Sequence, residues 1–124
     1  MTKTITLYGI KNCDTVKKAQ KWLTENSIDY DFFDFKKSTL TNELLSQFVE
    51  LNDWSTLLNK RSTTYRNLSE EIKNNLTDDV AFEQVLAQPT LLKRPLLLIV
   101  EDGSATDLTL HLGFKAENYQ DIFK

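Results

Sequence analysis

The sequence predicts an α/β fold, because stretches typical of strands alternate with stretches typical of amphipathic helices. The order is β-α-β, a helical block, and then β-β-α. The 124 residues are 40% hydrophobic and include only three glycines and two prolines. A chain of this length is expected to form one domain with its own core. We therefore expect a single domain over residues 1–124, with a helical insertion at about 41–88.

The first part of the chain predicts a βαβ unit. Residues 5–8 are β-prone, and Gly9 follows them as a turn residue. Residues 14–26 have helical periodicity, and Asn12 or Asp14 would be a suitable N-cap. The aromatic residues of segment 30–35 predict a second strand. The whole segment has the length of ~30 residues that a βαβ unit requires.

The middle of the chain predicts helices and no strand. Residues 41–51 place Leu44, Leu45 and Phe48 on one face, and Thr41 can cap this helix. Residues 54–88 predict two or three further short helices.

The last part of the chain returns to strands. The continuous apolar run of residues 96–100 predicts a strand buried on both faces. A turn at 101–104 and the alternating residues 108–112 predict its half-buried partner. An amphipathic helix with Tyr119, Ile122 and Phe123 closes the chain.

Charge and cysteine content exclude several classes of protein. The net charge of −3 gives no general electrostatic reason to bind nucleic acid or an anionic membrane. One cysteine excludes an internal disulfide, and one cysteine with one histidine cannot form a Cys/His zinc site. No apolar run approaches the ~20 residues of a membrane span, and the start lacks the features of a signal peptide. We expect a cytoplasmic protein that binds no metal.

Cys13 is the main candidate for chemistry. It is predicted to lie between the first strand and the first helix, or in the first turn of that helix. The unpaired N–H groups at a helix N-terminus stabilise a thiolate; Lys11 would act in the same direction and Asp14 against it. The alternative is a buried packing role, which is common for free cysteines. Polar neighbours such as Asn12 favour the reactive thiol.

Three cysteine mechanisms require residues that the chain lacks. A Cys-x-x-Cys motif needs a second cysteine where Ile10 or Val16 stands. A phosphatase-type loop needs arginine at the position of Ala19. A papain-like site needs a histidine base, and His111 is predicted to be an exposed strand residue. A single-cysteine mechanism remains, with a resolving thiol from another molecule.

Two basic clusters could bind the anion that such a thiolate would use. Lys60 and Arg61 lie in the helical block, whereas Lys93 and Arg94 precede Pro95 and the buried strand. Arginine binds carboxylates and oxyanions through paired hydrogen bonds. Either cluster alone is typical of a solvated surface, but the start of a buried strand favours Arg94.

These residues resemble the arsenate-reductase-related family, which includes the glutaredoxin-coupled ArsC reductases, the Spx regulators and the YffB-like proteins. The resemblance spans nearly the whole chain. Its most specific parts are residues 7–15, 61–65 and 92–96, and the first and third are closest to the YffB-like branch. It implies a thioredoxin-like fold with a four-stranded mixed sheet and an inserted helical block. It also implies a cis peptide bond before Pro95.

The resemblance further implies a glutathione-dependent thiol or oxyanion reductase. Cys13 and Arg94 would be catalytic, and the substrate would be bound by Lys11, Asn12, Arg61 and Pro95. Glutathione would be a co-substrate rather than a bound cofactor, with glutathione or glutaredoxin as partner and an oxidised thiol or small oxyanion as substrate. Of the three arginines of arsenate reductases only Arg94 is matched, and Gly9 stands where those enzymes carry histidine.

The resemblance also leaves a regulatory alternative. An Spx-like protein would bind RNA polymerase or another protein, and Cys13 would be non-catalytic or a redox sensor. Most Spx regulators carry a redox Cys-x-x-Cys motif, and Val16 stands where its second cysteine would be.

Overall fold

The computed structural model describes residues 3–101 and 108–123, which fall into two compact units. Unit 1 comprises residues 1–38 and 94–124, and unit 2 comprises residues 39–93. The helices are α1 (Asp14–Glu25), α2 (Asn42–Leu51), α3 (Trp54–Leu57), α4 (Thr63–Arg66), α5 (Glu70–Asn74), α6 (Asp78–Ala87) and α7 (Ala116–Ile122). The predicted single domain, with its insertion at about 41–88, stays a prediction.

Unit 1 is built on a four-stranded mixed sheet with strand order β2-β1-β3-β4. The strands are β1 (Lys3–Gly9), β2 (Asp31–Asp34), β3 (Leu96–Glu101) and β4 (Leu108–Leu112). β1 pairs in parallel with β2 and antiparallel with β3, and β3 pairs antiparallel with β4. The predicted strands are therefore confirmed, although the predicted turn at 101–104 lies, beyond Glu101, outside the described residues.

The hydrophobic core of unit 1 joins one face of the sheet to α1 and α7. The three buried residues of α1, at helical spacing, pack with β1, β3 and Tyr119 of α7. The buried members of this core are Ile5, Leu7, Val16, Ala19, Leu23, Leu97, Ile99 and Tyr119. Trp22 and Phe114 meet the Tyr119 ring edge-on, at centroid distances of 5.5 and 4.7 Å. This packing holds α1 against β1 and so sets where the start of α1 lies.

Unit 2 contains α2 to α6 and a 3₁₀ turn at Pro89–Leu91. A Ser, Thr or Asp side chain accepts a backbone N–H at the start of each α-helix, and the capping residues are Thr41, Asp53, Ser62, Ser69 and Thr77. The prediction of two or three helices after Trp54 is wrong, because these closely spaced caps divide the segment into four.

Unit 2 also contains one β-type contact that the sequence did not predict. Leu58 and Leu92 form an antiparallel bridge. Neighbouring backbone hydrogen bonds join Asn59 to Leu91 at 2.8 Å and Lys93 to Leu57 at 2.8 Å. None of the described helices is long and apolar enough to cross a membrane.

Candidate active site

Cys13 is the N-cap residue of α1, with an extended backbone conformation. Its carbonyl accepts the N–H of Lys17 at 3.0 Å, and its own N–H donates to the carbonyl of Ile10 at 3.3 Å. The prediction of Asn12 or Asp14 as N-cap is therefore wrong, and Asp14 is the first helical residue. The tight turn from Ile10 to Cys13 moves the cap one residue beyond Asn12.

The thiol of Cys13 is free and half-buried. The side chain packs against the core of unit 1, yet it makes no capping hydrogen bond to α1. A serine or aspartate at this position would satisfy an N–H of the first turn. Cys13 thus occupies the N-cap position of a 12-residue helix whose first N–H groups receive no hydrogen bond from its side chain.

The pairing of β1 with β3 places Arg94 and Pro95 at the same edge of the sheet as Cys13. By this edge we mean the end of the sheet at which β1 finishes and β3 begins. Tyr8 is opposite Leu96 in this antiparallel pair. The chain before Leu96 therefore runs past the end of β1, where the loop to Cys13 begins. The Arg94-Pro95 peptide bond is cis, so that prediction is confirmed.

Arg94 is half-buried, but its Nε atom is fully buried. Among the described residues this Nε has no hydrogen-bond partner. A buried N–H group of a charged side chain loses its water without compensation unless an acceptor is supplied. Within the described part of the chain, this Nε–H is therefore an unsatisfied donor beside the start of β3.

The other predicted binding residues fall in both units. Lys11 and Asn12 are exposed in the turn that leads to Cys13, and the buried Pro95 accepts the N–H of Gly113 at 2.9 Å. Arg61 is exposed in unit 2, and its backbone N–H donates to Asn59 Oδ1 at 3.1 Å. Unit 1 thus holds every predicted site residue except Arg61.

Asp34 is a residue at this edge that the sequence reasoning missed. It is only 9% exposed, and it pairs in register with Gly9. Its Oδ1 accepts the N–H of Lys36 at 2.9 Å, while the N–H of Phe35 donates to the carbonyl of Gly9 at 2.9 Å. An aspartate followed by a turn is the available signal. Asp34 thereby shapes the turn that presents Lys36.

His111 is half-buried rather than exposed, so the sequence prediction for it is wrong. It is opposite Leu97, a core residue of unit 1, in the β3–β4 pair. Burial lowers the pKa of His111 and favours its neutral form. Within residues 3–101 and 108–123, no three His, Cys, Asp or Glu side chains are grouped as metal ligands would be.

A family model for ArsC matches residues 8–122. The chain belongs to the ArsC family. An uncharacterized protein of Haemophilus influenzae is 44% identical over 119 residues, which cover 96% of this chain and 98% of that one. The global transcriptional regulator Spx of Lactiplantibacillus plantarum is 28% identical over 96 residues, covering 76% of this chain and 72% of Spx. The family resemblance predicted from the sequence is confirmed.

Two solved structures of ArsC-like proteins confirm the thioredoxin-like α/β fold. A YFFB protein matches with a TM-score of 0.82 and 41% identity, over 95% of this chain and 97% of that one. An arsenate reductase (ArsC) related protein from Brucella melitensis matches with a TM-score of 0.74 and 45% identity, over 98% and 95% of the two chains.

Proposed function

We propose that this ArsC-family protein is a glutathione-linked thiol reductase with Cys13 as its nucleophile. The observation that supports it most is the uncapped thiol at the start of α1, at the sheet edge that also holds Arg94. Arg94 is half-buried there, and its guanidinium group is suited to charge-assisted hydrogen bonds with an anionic ligand.

The reaction proceeds through two thiol–disulfide exchanges. The Cys13 thiolate attacks the glutathione sulfur of a mixed disulfide. A bond forms between the two sulfurs, and the substrate leaves as a thiolate that takes a proton from water. The thiolate of a free glutathione then attacks the glutathione sulfur of the Cys13–glutathione disulfide. This step releases oxidised glutathione and the Cys13 thiolate. Overall, a mixed disulfide and one glutathione become a substrate thiol and oxidised glutathione.

The remaining site residues bind and orient the glutathione moiety. Arg94 forms charge-assisted hydrogen bonds to a glutathione carboxylate, and Lys11 adds positive charge in the loop before Cys13. Asn12 offers an amide to the peptide backbone of glutathione, while Pro95 shapes the start of β3. Binding by Arg61, in unit 2, stays a prediction from the sequence.

An oxyanion is the second substrate class for the same thiolate. The Cys13 sulfur would displace one water from the protonated oxyanion. A first glutathione would then release the reduced oxyanion and form a mixed disulfide with Cys13, and a second would release oxidised glutathione. Two glutathione thiols thus supply the two electrons.

The test is turnover of a glutathione mixed disulfide of a small thiol, with oxidised glutathione measured by a coupled NADPH assay. We expect glutathione-dependent turnover by the native protein and a loss of at least about a thousandfold in Cys13→Ser, because a hydroxyl is a poor nucleophile at neutral pH. The native protein turning over no faster than Cys13→Ser would contradict the proposal.

A regulatory function is the second candidate, because the chain is 25–28% identical to several global transcriptional regulators named Spx. Under this hypothesis the protein binds RNA polymerase, and Cys13 has no catalytic role. Purified RNA polymerase would then retain the native protein and Cys13→Ser equally, in reducing and oxidising buffer. Failure to retain either protein would exclude this candidate.

A further inference from the structure

We infer that the sheet edge around Cys13 selects disulfides whose protein side is an acidic polypeptide segment. This inference rests on the proposed thiol reductase function and adds the substrate class. It depends on the distribution of charge over unit 1 rather than on the chemistry of Cys13 itself.

Four segments of unit 1 meet at this edge, which we call the Cys13 edge. They are residues 10–13 after β1, 35–38 after β2, 94–95 before β3 and 113–115 after β4. A hydrogen bond of 2.9 Å from Phe35 to Gly9 holds the second segment to the end of β1, and another of 2.9 Å from Gly113 to Pro95 joins the fourth segment to the third. The pairing of Tyr8 with Leu96 sets these two pairs side by side.

The Cys13 edge carries mostly positive charge. Exposed lysines lie in three of its segments and in the first turns of α1, at Lys11, Lys36, Lys37, Lys115, Lys17 and Lys18. The acidic residues that adjoin these segments are Asp14, Glu117 and Asp34, and Asp34 is buried with an oxygen that accepts the N–H of Lys36. The exposed charge next to Cys13 is therefore predominantly cationic.

These lysines remain available to a ligand. The ion pairs within the described part of the chain are Lys3–Glu101 and Lys73–Glu70, and neither belongs to the Cys13 edge. Unpaired exposed lysines close together raise the local positive potential, which increases the rate at which anionic partners associate.

The opposite edge of unit 1 is acidic. Asp29 and Asp31 line a cavity there together with Lys3, whose ammonium group pairs with Glu101 at 3.5 Å. Glu25 and Glu101 lie at the same end of the unit. Unit 1 is thus polarised although the chain has a net charge of −3, so its field directs an anion toward Cys13.

The size of the cationic edge matches a short peptide segment. Four strands at ~4.8 Å spacing give an edge about 15 Å wide, which equals four or five extended residues at ~3.3 Å each. An acidic polypeptide fits better than a nucleic acid, because a nucleic acid carries no disulfide with which the Cys13 thiolate could exchange. A longer polyanion would also be repelled by the acidic residues of the opposite edge.

The direct test compares two glutathionylated peptides of equal length. One has three glutamates beside its cysteine, and the other has three glutamines. Release of the peptide thiol is measured in a single turnover, without free glutathione. At low salt we expect the acidic peptide to react at least about fivefold faster, and 0.5 M NaCl to reduce this ratio toward one. Equal rates at low salt would overturn the inference.

Two matched variants separate the Cys13 edge from overall charge. The double variant Lys36→Gln/Lys37→Gln should reduce the preference for the acidic peptide to less than about half of its native value. Lys3→Gln/Lys21→Gln removes the same charge farther from the thiol, since Lys3 is about 20 Å from Gly9 along β1 and Lys21 is about 12 Å from Cys13 along α1. The variants are compared at about 0.15 M NaCl, where the Debye length is ~8 Å. This control should keep most of the preference. An equal loss in both double variants would contradict a local effect.

A second measurement is independent of disulfide exchange. Alkylation of Cys13 by anionic iodoacetate is compared with alkylation by neutral iodoacetamide, each relative to free cysteine. We expect the relative iodoacetate rate to be raised, and to fall in Lys36→Gln/Lys37→Gln. A raised iodoacetate rate together with no reaction of either peptide would contradict the thiol reductase function but support the selectivity for anions. Absence of any iodoacetate preference overturns the selectivity alone.

Discussion

Gly9, the last residue of β1, lies so close to Val16 of α1 that a Cβ atom added at position 9 would be 2.7 Å from Val16 Cγ2. Val16 is fully buried, so its side chain has no free space into which to move. Cys13 precedes Val16 by one helical turn. The close contact between Gly9 and Val16 therefore sets how near the Cys13 thiol lies to the end of β1.

We predict that Gly9→Ala lowers the free energy of unfolding by about 1–3 kcal/mol, because the added methyl group overpacks this contact. Urea denaturation measures the change. Val16→Ala is destabilising alone, but it makes room for the methyl group. The double variant should thus lose less stability than the sum of the two single variants, and strictly additive losses would show that the two residues do not interact.

Arg94→Met should lower kcat/KM for a glutathione mixed disulfide by at least about tenfold, the effect of losing one charge-assisted hydrogen bond. Its free energy of unfolding should stay within about 1 kcal/mol of the native value, since the buried Nε has no partner to lose among the described residues. Arg94→Lys keeps the charge and should recover part of the activity. Native kcat/KM in Arg94→Met would remove Arg94 from the site.

Stability should decrease between pH 8 and pH 5.5 partly through His111. Burial lowers the pKa of His111 in the folded protein, so the unfolded chain, with its ordinary value of ~6.5, takes up this proton first. Stability from this residue is therefore present above pH ~6.5 and is lost as the pH falls. Denaturation at both pH values should show a smaller decrease in His111→Gln. An identical decrease would assign the effect to other groups.

Tyr119→Phe should raise the free energy of unfolding by up to about 1 kcal/mol, because it removes a buried hydroxyl that lacks a partner among the described residues. Burial raises the pKa of Tyr119, so the phenol stays neutral at ordinary pH. Tyr119→Leu is the control; it loses the edge-on contacts with Trp22 and Phe114 and should cost about 2 kcal/mol. Thermal or urea unfolding of both variants separates the contribution of the Tyr119 hydroxyl to the free energy of unfolding from that of its ring.

Much of unit 1 could be predicted from sequence because its signals are local. The spacing of Val16, Ala19 and Leu23 specifies the inner face of α1, and the apolar run of β3 specifies a buried strand. In unit 2, Thr41 is predictable as the cap of α2 for the same reason, since a cap bonds to a residue three positions away.

The errors occurred where a local pattern had several solutions. Asn12, Cys13 and Asp14 are all possible helix starts, and the tight turn from Ile10 decides among them. The burial of Asp34 and His111 depends on what packs against each strand, which alternation along one strand does not reveal.

The sequence by itself determined that the chain has one thiol, so a complete redox cycle needs a second thiol from another molecule. It also located that thiol next to the start of a helix. Only the tertiary structure decided that Arg94, 81 positions later in the printed sequence, lies at the same sheet edge as Cys13. The reason is the register of β1 and β3, which sets Tyr8 opposite Leu96, so that the chain before Leu96 passes the end of β1 where the loop to Cys13 begins.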